Sequence, residues 1–226
     1  MNDCIKKINI LYEDEYILLC EKPVGMISQY GENIESLPMK LSELRNGDYI
    51  GVVHRLDVTT GGVIAYAKQK QICAGLSESI ASDQYRKEYL AVLDGRPEEY
   101  GTLRDYLYHD KIKNKSFVVK SERRGAKEAV LEYRLVQYNP EKQKSLVRVR
   151  LITGRTHQIR VQFAGRGMPI CGDGKYGSRD NKCSCALWSC LCELPHPVTG
   201  KMICVTSSPM DIYPWILFSK YKIDTE

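Results

Sequence analysis

Two alternating stretches in the second half of the chain constrain its fold more than any other feature. Over residues 131–135 and 147–151, apolar residues at every second position are separated by charged ones. Such alternation predicts strands that bury one face. Asn139-Pro140 and the charged residues after it favour a turn between the two strands. The sequence therefore predicts an antiparallel hairpin.

The other patterns extend this hairpin to a mixed α/β domain. The pattern of residues 8–20 predicts two short strands around an acidic turn. The segment 97–127 is predicted to be rich in loops. The remaining predictions are a buried strand Val63–Ala67, an amphipathic helix from about Gln69 to Ser82, a strand Lys87–Leu93, and a helix capped by Thr156 and running to about Arg166. No repeat or linker divides residues 1–226, so we predict one domain with much antiparallel pairing.

Composition excludes several classes of protein. The 226 residues contain 43% hydrophobic and 27% charged residues, which is typical of an ordinary soluble globular protein. No apolar run is long enough for a signal peptide or a membrane span, so we predict a cytoplasmic protein that does not bind a membrane. The nine cysteines are odd in number, which favours reduced thiols over a disulfide framework.

Four cysteines lie close together near the carboxyl end, at 183, 185, 190 and 192. C-x-C pairs can bind zinc, although the usual spacing is C-x-x-C. Cys190 and Cys192 lie in an apolar segment with the period of a strand. We therefore favour small core residues over a metal site and predict no bound metal.

The segment from Lys111 to Lys127 concentrates positive charge. It contains seven cations and one anion, Glu122, so its net charge is 7 − 1 = +6 in a chain of net charge +5. Such a segment could follow a phosphate backbone, and we predict phosphate contacts from Lys111, Arg123, Arg124 and Lys127. A solvated surface loop is an equally good interpretation of the charge pattern taken alone.

Two polar clusters are the candidates for chemistry. His54-Arg55-Leu56-Asp57 precedes a Thr/Gly turn and the buried strand, and Gly154–Arg160 follows the second alternating strand. Titratable groups on loops held by strands are typical of active sites. A structural ion pair between Arg55 and Asp57, with His54 satisfied at a strand end, is the alternative for the first cluster.

These clusters resemble the motifs of one enzyme family. HRLDVTTGGVIAYAK and LITGRTHQIRVQFAGRGMPICGDGKYG are similar to the two hallmark motifs of RluA-type RNA pseudouridine synthases. KEYLAV, ILYEDEYILLCEKPVGM and ELPHPVTGK resemble further segments of that family. The similarity extends from about residue 8 to 210 in the family's order. It implies a single catalytic domain with a mainly antiparallel mixed sheet, flanking helices and a central RNA-binding cleft.

The resemblance also implies roles for individual residues. Asp57 matches the nucleophilic aspartate, Tyr89 the tyrosine that stacks on the target base, and Arg160 the arginine that pairs with the aspartate. Arg55 matches the arginine that fills the gap left by the flipped base. We further predict RNA contacts from the neighbouring residues His54, Arg155 and His157.

The chain departs from the family pattern at three places. Thr60-Gly61-Gly62 replaces Thr-Ser-Gly, Thr59 replaces an aspartate, and Gln162 replaces the second histidine after HQIR. These changes affect the expected structure of the loops and not the expected activity. Because only seven residues precede the matching region, we expect a stand-alone catalytic domain without the N-terminal S4 RNA-binding domain of many relatives.

The predicted activity is the conversion of uridine to pseudouridine in ribosomal or transfer RNA, by base flipping and an aspartate-dependent rearrangement of the glycosidic bond. The isomerisation involves no redox change and no energy source, so we expect no cofactor, and we expect a monomer. The alternatives are a catalytically silent RNA-binding protein with this fold and a cysteine-based metal or redox protein. The presence of Asp57, Tyr89 and Arg160 together argues against the silent protein.

Overall fold

The computed structural model describes residues 8–218 except Asn33 and Arg123, and these residues form eleven strands and three α-helices. The strands are β1 Ile10–Glu13, β2 Ile17–Lys22, β3 Gly51–Val52, β4 Gly61–Ala67, β5 Arg86–Asp94, β6 Tyr100–Asp110, β7 Lys115–Val119, β8 Ala126–Asn139, β9 Lys144–Leu151, β10 Leu187–Pro195 and β11 Met202–Thr206. The helices are α1 Leu37–Glu43, α2 Ile72–Ala81 and α3 Gln158–Ala164.

The chain divides into two compact units. Among the described residues, the first unit contains 8–87 and 188–209, and the second contains 88–187 and 210–218. Within the described range, no helix is long and apolar enough to cross a membrane. The prediction of one domain over residues 1–226 stays a prediction.

The sheet of the first unit is built around the buried strand β4. Strands β2 and β3 pair with β4 antiparallel, β10 pairs with it parallel, and β1 and β11 extend the sheet antiparallel. Every residue of β4 is buried, as the apolar run Val63–Ala67 predicts. Leu76 on α2 packs into the same core as Ile17 and Val63. The predicted strands in residues 8–20 and the helix near 69–82 are confirmed.

The sheet of the second unit is antiparallel throughout, in the order β5-β9-β8-β6-β7. Strands β8 and β9 form the predicted hairpin, and Leu131, Val147 and Val149 are buried as the alternation requires. Ala129 of β8 packs against Val161 of α3. The predicted strand near 87–93 is confirmed as β5.

The prediction of loops over residues 97–127 is wrong. The eleven-residue strand β6 pairs with β8 on one side and β7 on the other. Leu103 and Leu107 are the buried apolar residues of β6 and lie on one face, but Asp105 between them interrupts the alternation, so the sequence shows no clear period of two. Pairing on both edges stabilises a strand that its own sequence pattern does not indicate.

The predicted start of α3 is also wrong. Thr156 is not the N-cap; His157 precedes the helix instead, with a left-handed backbone (φ 56°). The helix ends at Ala164 rather than near Arg166. Ile159 and Phe163 are buried on its core face.

The predicted fold class is confirmed, since the described strands pair mainly antiparallel, β4 and β10 pair parallel, and helices α2 and α3 pack against the strands. Cys185, Cys190 and Cys192 are buried, which confirms their prediction as core residues. Cys183 is partly exposed and does not fit that prediction.

Candidate active site

The loop that carries Asp57 is tied to the segment just after β2. The Ser28 hydroxyl donates to the Leu56 carbonyl (2.8 Å) and accepts from the Leu56 amide (3.1 Å). The Gly25 amide donates to the Val58 carbonyl (2.8 Å). Asp57 thus lies between two residues whose backbone positions are fixed, which holds its partly exposed carboxylate on a rigid support.

Two buried lysines place positive charge near Asp57. The Lys22 ammonium donates to the carbonyls of Pro23 (2.9 Å), Met26 (2.7 Å) and Val58 (3.2 Å), and Lys22 is fully buried. Burial lowers the pKa of Lys22 to about 8, and attraction to Asp57 opposes that change. Burial likewise lowers the pKa of Lys87 to about 8, against the attraction of Cys192 and Asp57. Two buried amino groups therefore lie near the Asp57 carboxylate.

His54 has a structural contact. Its Nε2 accepts the Ala65 amide of β4 (3.0 Å), and its Nδ1 is buried with no hydrogen-bond partner among the described residues. Burial, together with the charge of Lys87, holds the pKa of His54 well below its ordinary value. A neutral imidazole is therefore expected, and the predicted RNA contact of His54 stays a prediction.

Gly61, which stands where the family pattern has serine, and Gly62, which matches the pattern, both have a packing reason. A Cβ at Gly61 would lie 2.3 Å from the Trp188 ring. Gly62 has a φ of 103°, and a Cβ there would lie 2.2 Å from the Ser189 carbonyl oxygen. The close approach of β10 thus leaves room for glycine alone at both positions.

The second unit contains the other two predicted catalytic residues. Tyr89 on β5 is 6% exposed and lies opposite Val149 of β9. Arg160 on α3 is buried and forms two hydrogen bonds with the Asp173 carboxylate, from Nε to Oδ2 (2.7 Å) and from Nη2 to Oδ1 (2.8 Å). This paired geometry fixes the plane of the guanidinium. Pairing of Arg160 with Asp57 stays a prediction.

Tyr176 joins His157 to Arg160. The Tyr176 hydroxyl accepts the Ser116 amide (2.8 Å) and is hydrogen-bonded to His157 Nδ1 (2.9 Å). The Arg160 guanidinium carbon lies 5.1 Å from the centre of the Tyr176 ring, within the range of a cation–π contact. The structure thus brings the predicted residues His157 and Arg160 together.

Arg155 lies on the surface and donates from Nε to the Glu128 carbonyl (2.8 Å). Gln162, which replaces a family histidine, is fully buried, and its amide donates to the Asp105 carboxylate (2.8 Å) and to the carbonyls of Leu103 and Ala129. Gln162 therefore ties α3 to β6 and β8. That role is a sufficient reason for an amide at position 162.

The basic segment is gathered at one end of β6. Lys111 and Lys113 follow β6 directly, Lys115 lies opposite Asp110, and Lys127 lies opposite Leu107. Arg124 precedes β8 in an exposed turn, and Arg123 lies outside the described residues. Because β6 pairs with β7 on one side and β8 on the other, the cations at the end of β6, at the start of β7 and at the start of β8 lie near one another.

A model of one protein family matches most of this architecture. The family described as RNA pseudouridylate synthase matches residues 16–165. The chain belongs to this family. Its members convert uridine in RNA to pseudouridine, so the enzyme is an isomerase of the RluA type.

Curated relatives agree with the family assignment. The chain is 32% identical over 217 residues to the ribosomal large subunit pseudouridine synthase D of Zymomonas mobilis, covering 87% of this chain and 67% of the relative. It is 31% identical to the ribosomal large subunit pseudouridine synthase C of Buchnera aphidicola, covering 91% and 68% of the two chains.

Solved structures confirm the fold of this pseudouridine synthase. Human RNA pseudouridylate synthase domain containing 1 superposes with a TM-score of 0.78, covering 95% of this chain and 88% of the human one, at 20% identity. Human RNA pseudouridylate synthase domain containing 4 gives a TM-score of 0.73, covering 92% and 90%, at 21% identity.

Four residues that the structure emphasises had no predicted role in the synthase: Lys22, Lys87, Asp173 and Tyr176. All four lie inside motifs that carried the family resemblance, EKPVG, KEYLAV and GDGKYG. Lysines are rarely fully buried in proteins, so burial of Lys22 and Lys87 marks them out. That signal is visible only in the structure.

Proposed function

We propose that this synthase converts a uridine of ribosomal RNA to pseudouridine, with Asp57 as the nucleophile. Asp57 lies on a fixed loop near two buried lysines, and this observation carries the proposal. The curated relatives named above are ribosomal large subunit enzymes, which favours ribosomal over transfer RNA.

The reaction sets the demands on these residues. The N1–C1′ bond breaks, a C5–C1′ bond forms, C5 loses its proton and N1 gains one. Electrons and atoms balance without an oxidant or an energy source, which supports the absence of a cofactor. An ionised carboxylate can attack either the ribose C1′ or the uracil ring, and both routes need Asp57 deprotonated.

Access to the uridine requires extrusion of the base from its stack, at a cost of a few kcal/mol. Arg55 is exposed beside Asp57, and we assign it to the space that the base vacates, where a guanidinium can stack and contact phosphate. We assign Tyr89 to stacking on the uracil, because aromatic side chains bind unstacked RNA bases. We assign Arg160 to holding the Asp57 carboxylate, with Asp173 and Tyr176 orienting its guanidinium.

Phosphate contacts are assigned to Lys111, Arg123, Arg124 and Lys127, and RNA contacts to the loop residues His54, Arg155 and His157. The support is the net charge of +6 over the segment and the gathering of its described cations at one end of β6. The cysteines among the described residues are thiols, which fits a reducing compartment such as the cytoplasm. We propose that the enzyme acts there as a monomer.

Release of tritium from RNA labelled at C5 of uracil tests the proposal, because C5 must lose its hydrogen. We expect the wild type to release tritium from large-subunit ribosomal RNA and Asp57→Asn to be slower by roughly 10⁴-fold or more. Asp48→Asn, at an exposed aspartate of the same unit, is the matched control and should keep full activity. Release by Asp57→Asn at the wild-type rate would overturn the assignment of the nucleophile.

A further inference from the structure

Two thiols and a carboxylate meet in the second unit, among residues to which the pseudouridine reaction assigns no role. Cys171 Sγ lies 3.6 Å from Cys183 Sγ and 3.5 Å from Asp180 Oδ2. One ligand atom from each of these three residues lies within 4.8 Å of the others. Cys171 is fully buried and Cys183 is partly exposed, so the cluster opens toward solvent on one side.

These separations match the edges of a tetrahedral zinc site. With Zn–S near 2.3 Å and Zn–O near 2.1 Å, tetrahedral angles place two sulfur ligands about 3.8 Å apart and a sulfur and an oxygen about 3.6 Å apart. The two observed distances differ from these values by only about 0.1–0.2 Å. A metal ion could therefore enter with small movements of the side chains.

We propose that Cys171, Asp180 and Cys183 bind one zinc ion, with solvent at the fourth position. Thiolate ligands select zinc over magnesium and calcium, which prefer oxygen. Binding would replace two thiol protons by one divalent ion, so the net charge of the cluster would not change. The site would hold the segment that contains Cys171 against the loop 180–183.

The carboxylate is already oriented for this role. Asp180 Oδ1 accepts the Lys182 amide (3.0 Å), while Oδ2 accepts the Tyr213 hydroxyl and pairs with the Lys144 ammonium (3.0 Å). Lys144 also pairs with Asp94 (2.6 Å), so it keeps a counter-ion when Asp180 binds a metal. Such supporting hydrogen bonds are typical around metal ligands.

The backbone packing also builds the site. Gly172 has a φ of 79°, and a Cβ there would lie 2.5 Å from the carbonyl oxygens of Cys183 and Ser184. The Gly172 amide donates to Ser178 Oγ (3.1 Å), and the same oxygen accepts the Asp180 amide (3.3 Å). Glycine next to Cys171 thus allows the two cysteine segments to approach closely.

The two thiols already lie as close together as neighbouring ligands of one metal ion, with their Sγ atoms 3.6 Å apart. Cysteine spacing drew attention to a zinc site within residues 183–192, whereas the structure pairs Cys183 with a cysteine twelve positions upstream.

Cobalt titration of the reduced, metal-free full chain tests the site, because thiolate-bound tetrahedral cobalt absorbs in the near ultraviolet and the visible. We expect one cobalt per chain, displaced by zinc, and about tenfold weaker binding in Tyr213→Phe. Cys183→Ser, at the partly exposed ligand, should lose the absorption, and Cys204→Ser, at an exposed cysteine of the first unit, should keep it.

Less than half an equivalent of bound cobalt, or an unchanged spectrum in Cys183→Ser, would overturn the proposal. Loss of two free thiols on air oxidation, without metal binding in the reduced chain, would assign the pair to a disulfide instead. Circular dichroism of Cys183→Ser checks that the variant folds. None of these measurements uses RNA, so their outcome is independent of the proposed activity.

Discussion

Lys87 shows how a single residue can link the stability of this synthase to its chemistry. It is buried near Asp57, and its pKa falls from an ordinary 10.5 to about 8. A buried ammonium destabilises the folded state unless a counter-charge offsets the cost of leaving water. The chain accepts that cost at Lys22 and Lys87, both near the same carboxylate, which is expected of residues retained for function.

The lowered pKa predicts how stability depends on pH. Below about pH 8 Lys87 is protonated in both states, and the folded state carries the full penalty of the buried charge. Between pH 8 and 10.5 the unfolded state binds more protons, so the penalty diminishes as pH rises. We compare the free energy of unfolding of the wild type with that of Lys87→Met. We expect the difference, wild type minus variant, to increase across this pH window by up to about 3 kcal/mol.

Urea denaturation at pH 7, 8, 9 and 10 measures this difference. The subtraction removes the contributions of Cys20 and Tyr66, whose raised pKa values act in the opposite direction. Lys70→Met, at an exposed lysine of the same unit, is the control and should give no slope. A flat difference for Lys87→Met would contradict the lowered pKa.

The identities of the candidate site residues rest on motif positions. The roles of Asp57, Tyr89 and Arg160 come from these positions alone and stay predictions. The partners Lys22 and Asp173 could not be identified in this way, because a motif gives the order of residues and not their contacts. Burial of Lys22 depends on three carbonyls that converge only after β2 and the Asp57 loop are in place.

Among the strands and helices, β6 determines where the cations of the basic segment lie. Its sequence, YGTLRDYLYHD, has buried leucines four apart, and it becomes a strand because β7 and β8 pair with its two edges. Strands β8 and β9 were predictable from their alternating residues, and β4 from its continuous apolar run. Strand β6 and the left-handed entry of α3 at His157 were not, since both depend on contacts distant in sequence.

Pairing around β6 predicts a salt effect on RNA binding. Neutralising Lys111, Arg124 and Lys127 to glutamine together should weaken binding uniformly across RNA sequences. The slope of log K against log salt should fall in magnitude by about 0.7–0.9 for each phosphate that the variant no longer neutralises. Filter binding to ribosomal RNA fragments from 50 to 300 mM salt (roughly the range where such slopes are measured) gives the slope.

A matched control removes the same charge elsewhere. Lys70, Lys142 and Lys201 are exposed, and their triple replacement by glutamine changes the net charge equally. If the segment contacts phosphate, the control keeps the wild-type slope. Equal slopes for both triple variants would show that only total charge matters, and the segment would then be a solvated surface.

At the scale of the whole molecule, charge and family membership point to the same partner. The segment Lys111–Lys127 has a net charge of +6, and the whole chain has a net charge of +5. The rest of the chain is therefore close to neutral, and attraction to a polyanion is concentrated in this segment. The family was predictable because five motifs occur in the right order. The identity of the uridine was not, because recognition of one site in RNA depends on its folded shape.

Mapping pseudouridine in ribosomal RNA tests the central claim most directly. Cells that lack the gene would be complemented with wild type, Asp57→Asn or Asp48→Asn, and pseudouridines located by carbodiimide labelling and primer extension. We predict that at least one large-subunit site disappears on deletion and returns with wild type and Asp48→Asn but not with Asp57→Asn. A full set of sites in the deletion cells, or restoration by Asp57→Asn, would contradict the account.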